Sequence, residues 1–287
     1  MQMSVSLMDT VVQTVSEESV ATKHQALREL IAGMGRVIVA FSGGIDSTLV
    51  LKVAYDVLGE NALGATAVSP SLARSEREET ANLAQLIGVP HIFVETHELD
   101  NPNYAANPSN RCYFCKSELY DVLVPIAARR GYRFILDGTN ADDVGDFRPG
   151  QQAAREHGVR SPLRESGFTK AEIRSLARQL GLPNWDKPAM ACLASRIPYG
   201  QAVTMPTLRQ IDEAEAFLRS LGFRQLRVRH HDNLARLEVE PEMFPAVLER
   251  REEIVAGLRA IGYTFVTLDL AGFRSGSMND MLLRPKL

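Results

Sequence analysis

The first two thirds of the chain alternate short apolar runs with longer amphipathic segments. From about Ser19 to Leu182, runs rich in Val, Ile and Phe are each followed by a segment whose apolar residues recur at helical spacing. The predicted strands are Val37 to Phe41, Leu63 to Val68, His91 to Glu95 and Arg133 to Leu136. The predicted helices are Asp46 to Leu58, Leu72 to Ile87, Ser117 to Arg130 and Lys170 to Leu180. Such alternation is typical of an α/β fold, a doubly wound parallel sheet with helices on both faces.

After Pro198-Tyr199-Gly200 the pattern changes to that of a smaller α+β unit. The predicted elements are helices at Leu208 to Leu221 and Pro245 to Ala260, and strands at Gln225 to His230, Ala235 to Val239 and Thr264 to Leu270. A length of 287 residues also favours two domains over one. We therefore expect a first domain of residues 1–199 and a second of residues 200–287.

Composition and charge limit the cell compartments and the kinds of partner that we expect for this protein. The net charge is -3, which gives no general attraction to nucleic acid. No apolar stretch reaches the roughly 18 residues that span a bilayer, and the N-terminus lacks the basic segment of a secretory leader. Three cysteines are an odd set that suits a reducing compartment better than a disulfide framework. We expect a cytoplasmic protein that has no membrane or nucleic acid partner.

The stretch VIVAFSGGIDSTLV passes from a predicted strand through a glycine turn into a predicted helix. Gly43 and Gly44 let backbone N–H groups approach oxygen atoms closely, and Ser42 and Ser47 add hydroxyl donors. The positive end of the helix points to the same place, which predicts an anion site. Asp46 would repel a phosphate unless a divalent cation lay between them, so we predict that it binds magnesium. Alternatively, the glycines only relieve strain in the turn.

This Ser-Gly-Gly-x-Asp-Ser sequence resembles the pyrophosphate loop (PP-loop) of the ATP pyrophosphatases, which split ATP into AMP and pyrophosphate. The resemblance implies ATP as a ligand and leaves the second substrate open. A second turn, Asp137-Gly138-Thr139-Asn140, follows another predicted strand, so it would lie at the same carboxyl edge of the sheet. We predict that Gly138 lines the nucleotide site. The alternative is a turn that uses Asp, Gly and Asn for backbone reasons alone.

The cysteines suggest a reactive metal site. Cys112 and Cys115 are separated by two residues and could bind one metal centre, and Asn107-Pro108-Ser109 just before them suggests a helix start. Cys192 lies far along the chain. If all three thiolates converge, they leave one coordination position open, unlike a structural zinc site with four protein ligands. Alternatively, the pair is a redox motif or half of a zinc site with His91 or His97, and Cys192 is a small buried hydrophobe.

The segments NPSNRCYFCK and WDKPAMACLASRIPYG resemble the LarE family, PP-loop sulfurtransferases of nickel-pincer nucleotide (lactate racemase cofactor) biosynthesis. The resemblance runs from about Val37 to Leu270. It implies that ATP adenylylates the carboxylates of pyridinium-3,5-biscarboxylic acid mononucleotide, which then become thiocarboxylates. One kind of LarE sacrifices the sulfur of a cysteine that matches Cys192, and the other holds a 4Fe-4S cluster on three cysteines. The three cysteines present here predict the cluster kind.

The resemblance extends to the second predicted domain. Arg227 and Arg229 are two apart on a predicted strand, hence on one face, and match the phosphate-binding arginines of the family. Glu215 matches an acidic residue linked to metal or substrate handling, and Arg196 is a further candidate for binding an anion. The alternative for each of them is a solvated surface charge.

Family members form higher assemblies, so the resemblance also implies a homo-oligomer. Two rival functions stay open at this point. A tRNA thiolase can also combine a PP-loop with a three-cysteine cluster, but RNA binding favours a basic surface, and here acidic residues outnumber basic ones by 35 to 32. An ATP-dependent ligase without sulfur chemistry would use the cysteines as a structural zinc site.

Overall fold

A computed structural model of the chain describes residues 16–143, 149–188, 191–274 and 277. The first part contains a four-stranded sheet in the order β3-β2-β1-β4, in which all neighbouring strands are parallel. The strands are β1 Val37–Ala40, β2 Ala62–Val68, β3 His91–Glu95 and β4 Phe134–Leu136. All four predicted strands are therefore confirmed. The N-terminal segment assessed above as a possible leader lies outside the described residues.

Helices cover both faces of this sheet because successive residues of β1 point to opposite sides. Val37 and Val39 belong to one buried apolar cluster, whereas Ile38 and Ala40 belong to another. The helices of this part are α1 Glu17–Ala32, α2 Ile45–Leu58, α3 Arg74–Ile87, α4 Pro102–Ala105, α5 Arg111–Arg130, α6 Pro149–Glu156, α7 Pro162–Glu165 and α8 Lys170–Gln179. The doubly wound α/β class is confirmed.

A second, smaller sheet follows in the order β5-β6-β7, in which β6 is antiparallel to β5 and parallel to β7. The elements are α9 Met205–Ser220, β5 Leu226–His231, β6 Leu234–Val239, α10 Phe244–Glu249, α11 Arg251–Ala260 and β7 Phe265–Leu268. The α+β character of this part is confirmed, and the domain boundary at residue 200 stays a prediction. No helix within the described ranges is long and apolar enough to cross a bilayer.

Two predicted helices have different boundaries in the structure. Helix α5 begins at Arg111 instead of Ser117, because Tyr113 and Phe114 pack against apolar clusters and bring the cysteine segment into its first turns. The helix predicted from Pro245 to Ala260 is split at Arg250 into α10 and α11. The first correction matters for the site, because it places the cysteine pair on a helix.

A small apolar cluster joins the two parts. Leu193 and Ile197 of the segment before α9 pack in one cluster with Leu208 and Ile211 of α9. Cys115 of α5 packs against the same cluster. The cluster therefore connects the cysteine segments of the first part to the leading helix of the second.

Candidate active site

The turn between β1 and α2 is closed by its own hydroxyl groups. Ser47 Oγ donates to the Gly44 carbonyl oxygen at 3.0 Å and accepts a hydrogen bond from the Ser42 backbone N–H at 3.2 Å. Gly43 has a φ of 73°, in the left-handed region that favours glycine. Gly44, the N-cap of α2, makes no side-chain cap hydrogen bond, so no capping side chain occupies the first amides of the helix. The local geometry is that of an anion-binding turn.

Two other segments approach this turn so closely that only glycine fits at the contacts. A Cβ atom on Gly43 would lie 2.7 Å from Thr80 Cγ2, and one on Gly138 would lie 2.7 Å from the Ser47 backbone nitrogen. The second turn after β4 therefore packs directly against the first, at the carboxyl edge of the sheet. Both glycines allow this close approach, and Gly43 also has a φ that favours glycine.

The side chain of Asp137 also stabilises its own turn. Its carboxylate accepts hydrogen bonds from the Thr139 backbone N–H at 3.1 Å and from the Thr139 hydroxyl at 2.9 Å. The backbone explanation of this turn is thus correct for Asp137. The conformation of the turn alone does not explain Gly138, because a Cβ atom at this position would clash with the Ser47 backbone nitrogen of the PP-loop.

The side chain of Asn184 stabilises the glycine turn between β1 and α2. Its amide nitrogen donates to the Gly43 carbonyl oxygen at 3.1 Å and to Thr48 Oγ1 at 2.9 Å, and the residue is buried. Both bonds join positions more than a hundred residues apart, because the sequence separation is 141 residues for Gly43 and 136 for Thr48. Pattern analysis of a single sequence cannot detect such a contact.

Asp46, the predicted magnesium ligand, forms an ion pair in the structure. Lys170 Nζ lies 2.7 Å and 2.5 Å from its two carboxylate oxygens, and both side chains are partly exposed. Magnesium binding to Asp46 would displace this ammonium group. The magnesium role of Asp46 stays a prediction, and Lys170 is a residue of the site that the sequence analysis missed.

The three cysteines come together from two segments. Cys112 and Cys115 lie near the start of α5, and Cys192 lies just before a short 3₁₀ helix; none forms a disulfide. Crowding by the surrounding protein, followed by charge on Cys192, raises the pKa of Cys112. Burial, Glu98 and Cys192 raise the pKa of Cys115. The pKa of each cysteine of the pair therefore depends on charge at Cys192, and the binding of one metal centre by all three thiols stays a prediction.

A buried asparagine fastens the two cysteine segments to each other. Asn107 Nδ2 donates to the carbonyl oxygens of Ile197, Pro198 and Gln201 at 3.3, 2.8 and 3.0 Å. The backbone carbonyl oxygen of Asn107 accepts a hydrogen bond from the Gly200 backbone N–H at 3.0 Å. Asn107 has a φ of 55°, a conformation that asparagine tolerates better than most residues. These hydrogen bonds hold the segment that carries the cysteine pair against the segment that carries Cys192.

A buried arginine lies beside the thiols. Arg111 is 4% exposed and donates to Asn107 Oδ1 and, at 3.2 Å, to the Ala194 carbonyl oxygen. Burial disfavours its charge, but negative charge on Cys192 and Cys112 outweighs burial and raises the pKa of Arg111. The Arg111 guanidinium in turn lowers the pKa of Cys112, although burial and Cys192 together outweigh it and raise that pKa.

Lys116 connects the thiols to the nucleotide edge. Its Nζ lies 5.9 Å from the centre of the Tyr120 ring. Tyr120, Asp137, Cys115 and Cys112 together raise the pKa of Lys116, although burial opposes them. Because Asp137 belongs to the turn packed on the PP-loop, the cysteines and the anion-binding turn lie on the same side of the sheet. Lys116 was also missed by the sequence analysis.

Thiolates are the usual ligands of an iron-sulfur cluster, and a cluster on these three cysteines stays a prediction. Within the described ranges, no three His, Cys, Asp or Glu side chains are grouped closely enough to bind one metal ion. A cluster separates its cysteine ligands more widely, because each thiolate binds a different iron. The buried Arg111 beside Cys112 would offset part of the negative charge of such a group. The alternative of a zinc site that uses His91 or His97 also stays untested.

Comparison with known proteins decides the family. The chain is 40% identical over 270 residues to the pyridinium-3,5-bisthiocarboxylic acid mononucleotide synthase of Lactiplantibacillus plantarum, a match that covers 94% of this chain and 98% of that protein. The chain belongs to this LarE family. It is also 50% identical over 265 residues to an uncharacterized protein of Synechocystis, which covers 92% of this chain and 99% of that protein.

A more distant similarity supports the fold. The glutamine-hydrolysing GMP synthase of Thermus thermophilus is 30% identical over 185 residues, which is 57% of this chain and 36% of that protein. The match agrees with a PP-loop ATP pyrophosphatase domain joined to a different second part. No protein-family model matches the chain.

In this LarE-family chain, Glu215 is the centre of a buried ion-pair network. The residue is 0% exposed, and its carboxylate accepts from Arg196 at 2.8 and 2.9 Å, from Arg219 at 2.8 Å and from the Val228 backbone N–H at 3.1 Å. Burial raises the pKa of Glu215, but Arg196 and Arg219 outweigh it and lower the pKa below its usual range. Glu215 is thus an ionised internal anchor, and its predicted role toward metal or substrate stays untested.

Arg196 links the buried Glu215 carboxylate to the loop that carries Cys192. Its guanidinium pairs with Glu215 and also donates to the Cys192 carbonyl oxygen at 3.1 Å and to Ser195 Oγ at 3.0 Å. The side chain is 2% exposed. Its present contacts therefore fix the loop that carries Cys192, and they differ from those of a solvated surface charge.

Arg227 and Arg229 are buried on β5, so the alternative of solvated surface charges is wrong for both. Arg229 pairs with Glu238 at 2.8 Å and donates to the Ser195 carbonyl oxygen at 2.8 Å. The Arg227 guanidinium lies 5.0 Å from the centre of the Phe273 ring. Burial, and then repulsion from nearby arginines, lowers the pKa of Arg227 to about 10. A bound anion would relieve that repulsion.

Proposed function

We propose that this chain adenylylates the carboxylates of pyridinium-3,5-biscarboxylic acid mononucleotide with ATP and converts them into thiocarboxylates, in nickel-pincer nucleotide biosynthesis. The Lactiplantibacillus relative is named as the synthase of the bisthiocarboxylic product. The single observation that carries the proposal is the set of three thiols beside a buried arginine, on the same side of the sheet as the PP-loop.

The activation step follows from the chemistry of a carboxylate. An anionic carboxylate resists attack by sulfur, so one of its oxygens first attacks the α-phosphorus of ATP and pyrophosphate leaves. The amides and hydroxyls of the turn from Ser42 to Ser47 stabilise the departing pyrophosphate. Asp46 would hold a magnesium ion, which would supply charge stabilisation there, and the Lys170 ammonium group would then move from Asp46 to a phosphate oxygen. Gly138 allows the second turn to close against the nucleotide.

Sulfur transfer is assigned to the cysteines. A 4Fe-4S cluster bound by Cys112, Cys115 and Cys192 would leave one iron without a protein ligand and so supply a position for a transferable sulfide. Arg111 favours the thiolate forms that bind metal, and Asn107 keeps both cysteine segments at a fixed separation. The sulfur atom replaces AMP at the activated acyl carbon, which leaves a thiocarboxylate and AMP. Cys192 then keeps its own sulfur through turnover.

The acceptor is held from the second part of the chain. We assign an anionic group of the acceptor to Arg227 and Arg229, where repulsion among arginines favours a bound anion. Arg196 and Glu215 fix the Cys192 loop toward this acceptor. Because acidic residues outnumber basic ones, a small nucleotide suits the chain better than tRNA. We further propose a cytoplasmic homo-oligomer, as the family resemblance implies.

The test combines metal content with product. After anaerobic reconstitution we expect roughly four irons per chain, together with thiocarboxylate formed from ATP and the acceptor. Cys112→Ala should lose both iron and product. Tyr113→Phe, on the same helical turn, is the matched control and should keep both, because its hydroxyl donates to the exposed Glu156 at 2.7 Å. Stoichiometric zinc without iron, or saturable binding of bulk tRNA at moderate salt, would contradict the proposal.

A further inference from the structure

Glu98 is a buried carboxylate that the mechanism described above does not use. It opens the short 3₁₀ helix Glu98–Asp100 after β3, so it lies at the carboxyl edge of the sheet. The residue is 2% exposed, and its Oε2 atom is buried and accepts no hydrogen bond. Glu98 forms no ion pair with any residue that the structure describes, so its charge has no partner there.

Every other carboxylate that is buried within the described ranges has a partner. Each of them accepts a hydrogen bond or forms an ion pair: Asp137, Asp143, Glu172, Asp212, Glu215 and Glu238. Burying a charge without a partner is strongly unfavourable, and native proteins rarely leave a buried polar group unsatisfied. Glu98 therefore marks a place where a group from outside the chain is expected.

The short helix of Glu98 lies against the segment that carries the cysteine pair. The backbone N–H of His97 donates to Glu118 Oε1 of α5 at 3.1 Å, and Leu99 packs against the same apolar cluster as Cys115. Burial is the main cause of the raised pKa of Cys115, and charge on Glu98 is the next. Glu98 thus adds negative charge to the place where sulfur transfer is proposed.

The two cations beside the thiols are engaged elsewhere. The Arg111 guanidinium donates to Asn107 Oδ1. The Nζ atom of Lys116 lies 5.9 Å from the centre of the Tyr120 ring. Neither side chain is within ion-pair distance of Glu98 in the described structure. The group that would offset the Glu98 charge is therefore a cation that the described chain does not supply.

The proposed acceptor brings such a cation. Its ring nitrogen is bonded to the ribose, so the pyridinium ring is positive at every pH and has no N–H to donate. Arg229 of β5 donates to the Ser195 carbonyl oxygen at 2.8 Å, in the loop that carries Cys192. An acceptor whose phosphate is held by Arg227 and Arg229 therefore has its ring close to the thiols and to the charge of Glu98.

We propose that Glu98 selects the cationic ring of the acceptor, because its buried carboxylate stabilises a pyridinium beside the thiols and gives no such advantage to a nucleotide with a neutral ring. The inference rests on the proposed function, because it takes the acceptor to be a pyridinium nucleotide. In a pocket of low dielectric constant a charge acts over several ångströms, so the ring does not have to touch the carboxylate.

Calorimetric titration of the full chain, without metal, compares two ligands that differ only in ring charge. Nicotinic acid mononucleotide has a pyridinium ring, and the 5′-phosphate of 3-carboxyphenyl C-riboside has a neutral benzene ring with the same carboxylate and phosphate. Glu98→Gln keeps the shape of the side chain and removes its charge. We expect this variant to bind the pyridinium nucleotide at least about tenfold more weakly and the neutral nucleotide as the wild type does.

Two controls separate the charge effect from damage to the fold. Asp100→Asn removes an exposed carboxylate from the same 3₁₀ helix and should leave the affinity for both ligands unchanged. The Tm of ligand-free Glu98→Gln should be no lower than that of the wild type, because the variant loses no partner. Magnesium is the other cation that could offset Glu98, so the titrations are repeated in magnesium chloride, where the difference between wild type and variant should persist.

Equal losses for the two ligands in Glu98→Gln, or no loss for either, would overturn the inference. A matching loss in Asp100→Asn, a lower Tm of Glu98→Gln, or disappearance of the difference in magnesium would also overturn it. Thiocarboxylate formation by the reconstituted wild-type chain is measured separately. If product forms but Glu98→Gln binds both ligands normally, the inference fails and the proposed function stands. If no product forms with a loaded cluster, the proposed function fails.

Discussion

Glu215→Gln tests whether the buried carboxylate is a structural anchor. The change keeps the shape of the side chain and an oxygen for the Val228 backbone N–H, but it removes the charge that faces Arg196. Arg219 is 25% exposed and can turn toward water, whereas Arg196 is 2% exposed and cannot. Breaking a buried pair of this kind costs about 3–5 kcal/mol. For a chain of this size that corresponds to a fall in Tm of about 5–8 °C.

Thermal unfolding of the full chain measures this effect. Glu253→Gln is the control, because it removes a carboxylate that is 52% exposed in its pair with Arg250, and Tm should not change. The double variant Arg196→Met, Glu215→Leu removes both charges and should be less destabilised than Glu215→Gln. An unchanged Tm together with lost turnover in Glu215→Gln would refute the anchor and support a direct role in metal or substrate handling.

Three further predictions concern the loop, its lysine and the thiols. Gly138→Ala should weaken ATP binding at least tenfold, because the added Cβ would lie 2.7 Å from the Ser47 backbone nitrogen. Gly33→Ala is the control and should leave ATP binding unchanged, because its added Cβ would lie 3.6 Å from the nearest atom. Equal effects of the two variants would contradict this prediction. Lys170→Met should raise the KM for ATP roughly tenfold; an unchanged KM would remove Lys170 from the nucleotide site. Because the pKa values of Cys112 and Cys115 are raised and metal binding releases protons, iron loading at limiting iron should increase from pH 7 to pH 9; a flat profile would contradict this.

The sheet could be predicted from the sequence because its strands are buried on both faces. β1 reads as an unbroken apolar run, and all of its residues are buried. The start of α5 was predictable only in part. Asn107-Pro108-Ser109 indicated a helix start before the cysteines, but the segment around Cys112 mixes charged, aromatic and cysteine residues without clear helical spacing. Its helical form depends on apolar contacts made by Tyr113 and Phe114 with distant parts of the chain.

The candidate site was predictable where local spacing encodes chemistry. The turn from Ser42 to Ser47 and the cysteine pair are short motifs, and in the structure charge on Cys192 raises the pKa of both cysteines of the pair. Lys170, Lys116 and Asn107 were missed, because each becomes part of the site only through a partner far along the chain. The burial of Arg196 and Arg229 could not be predicted either, because a sequence shows an arginine but does not show the carboxylate that pairs with it.

The source of the transferred sulfur is the central claim, and the intact mass of the chain tests it most directly. The reconstituted protein is weighed before and after reaction with ATP and the acceptor, and thiocarboxylate is counted against the amount of protein. Our account predicts an unchanged mass, with Cys192 intact, and more than one thiocarboxylate per chain. Loss of one hydrogen sulfide at Cys192, with no more than one thiocarboxylate per chain, would contradict it and establish a sacrificial mechanism.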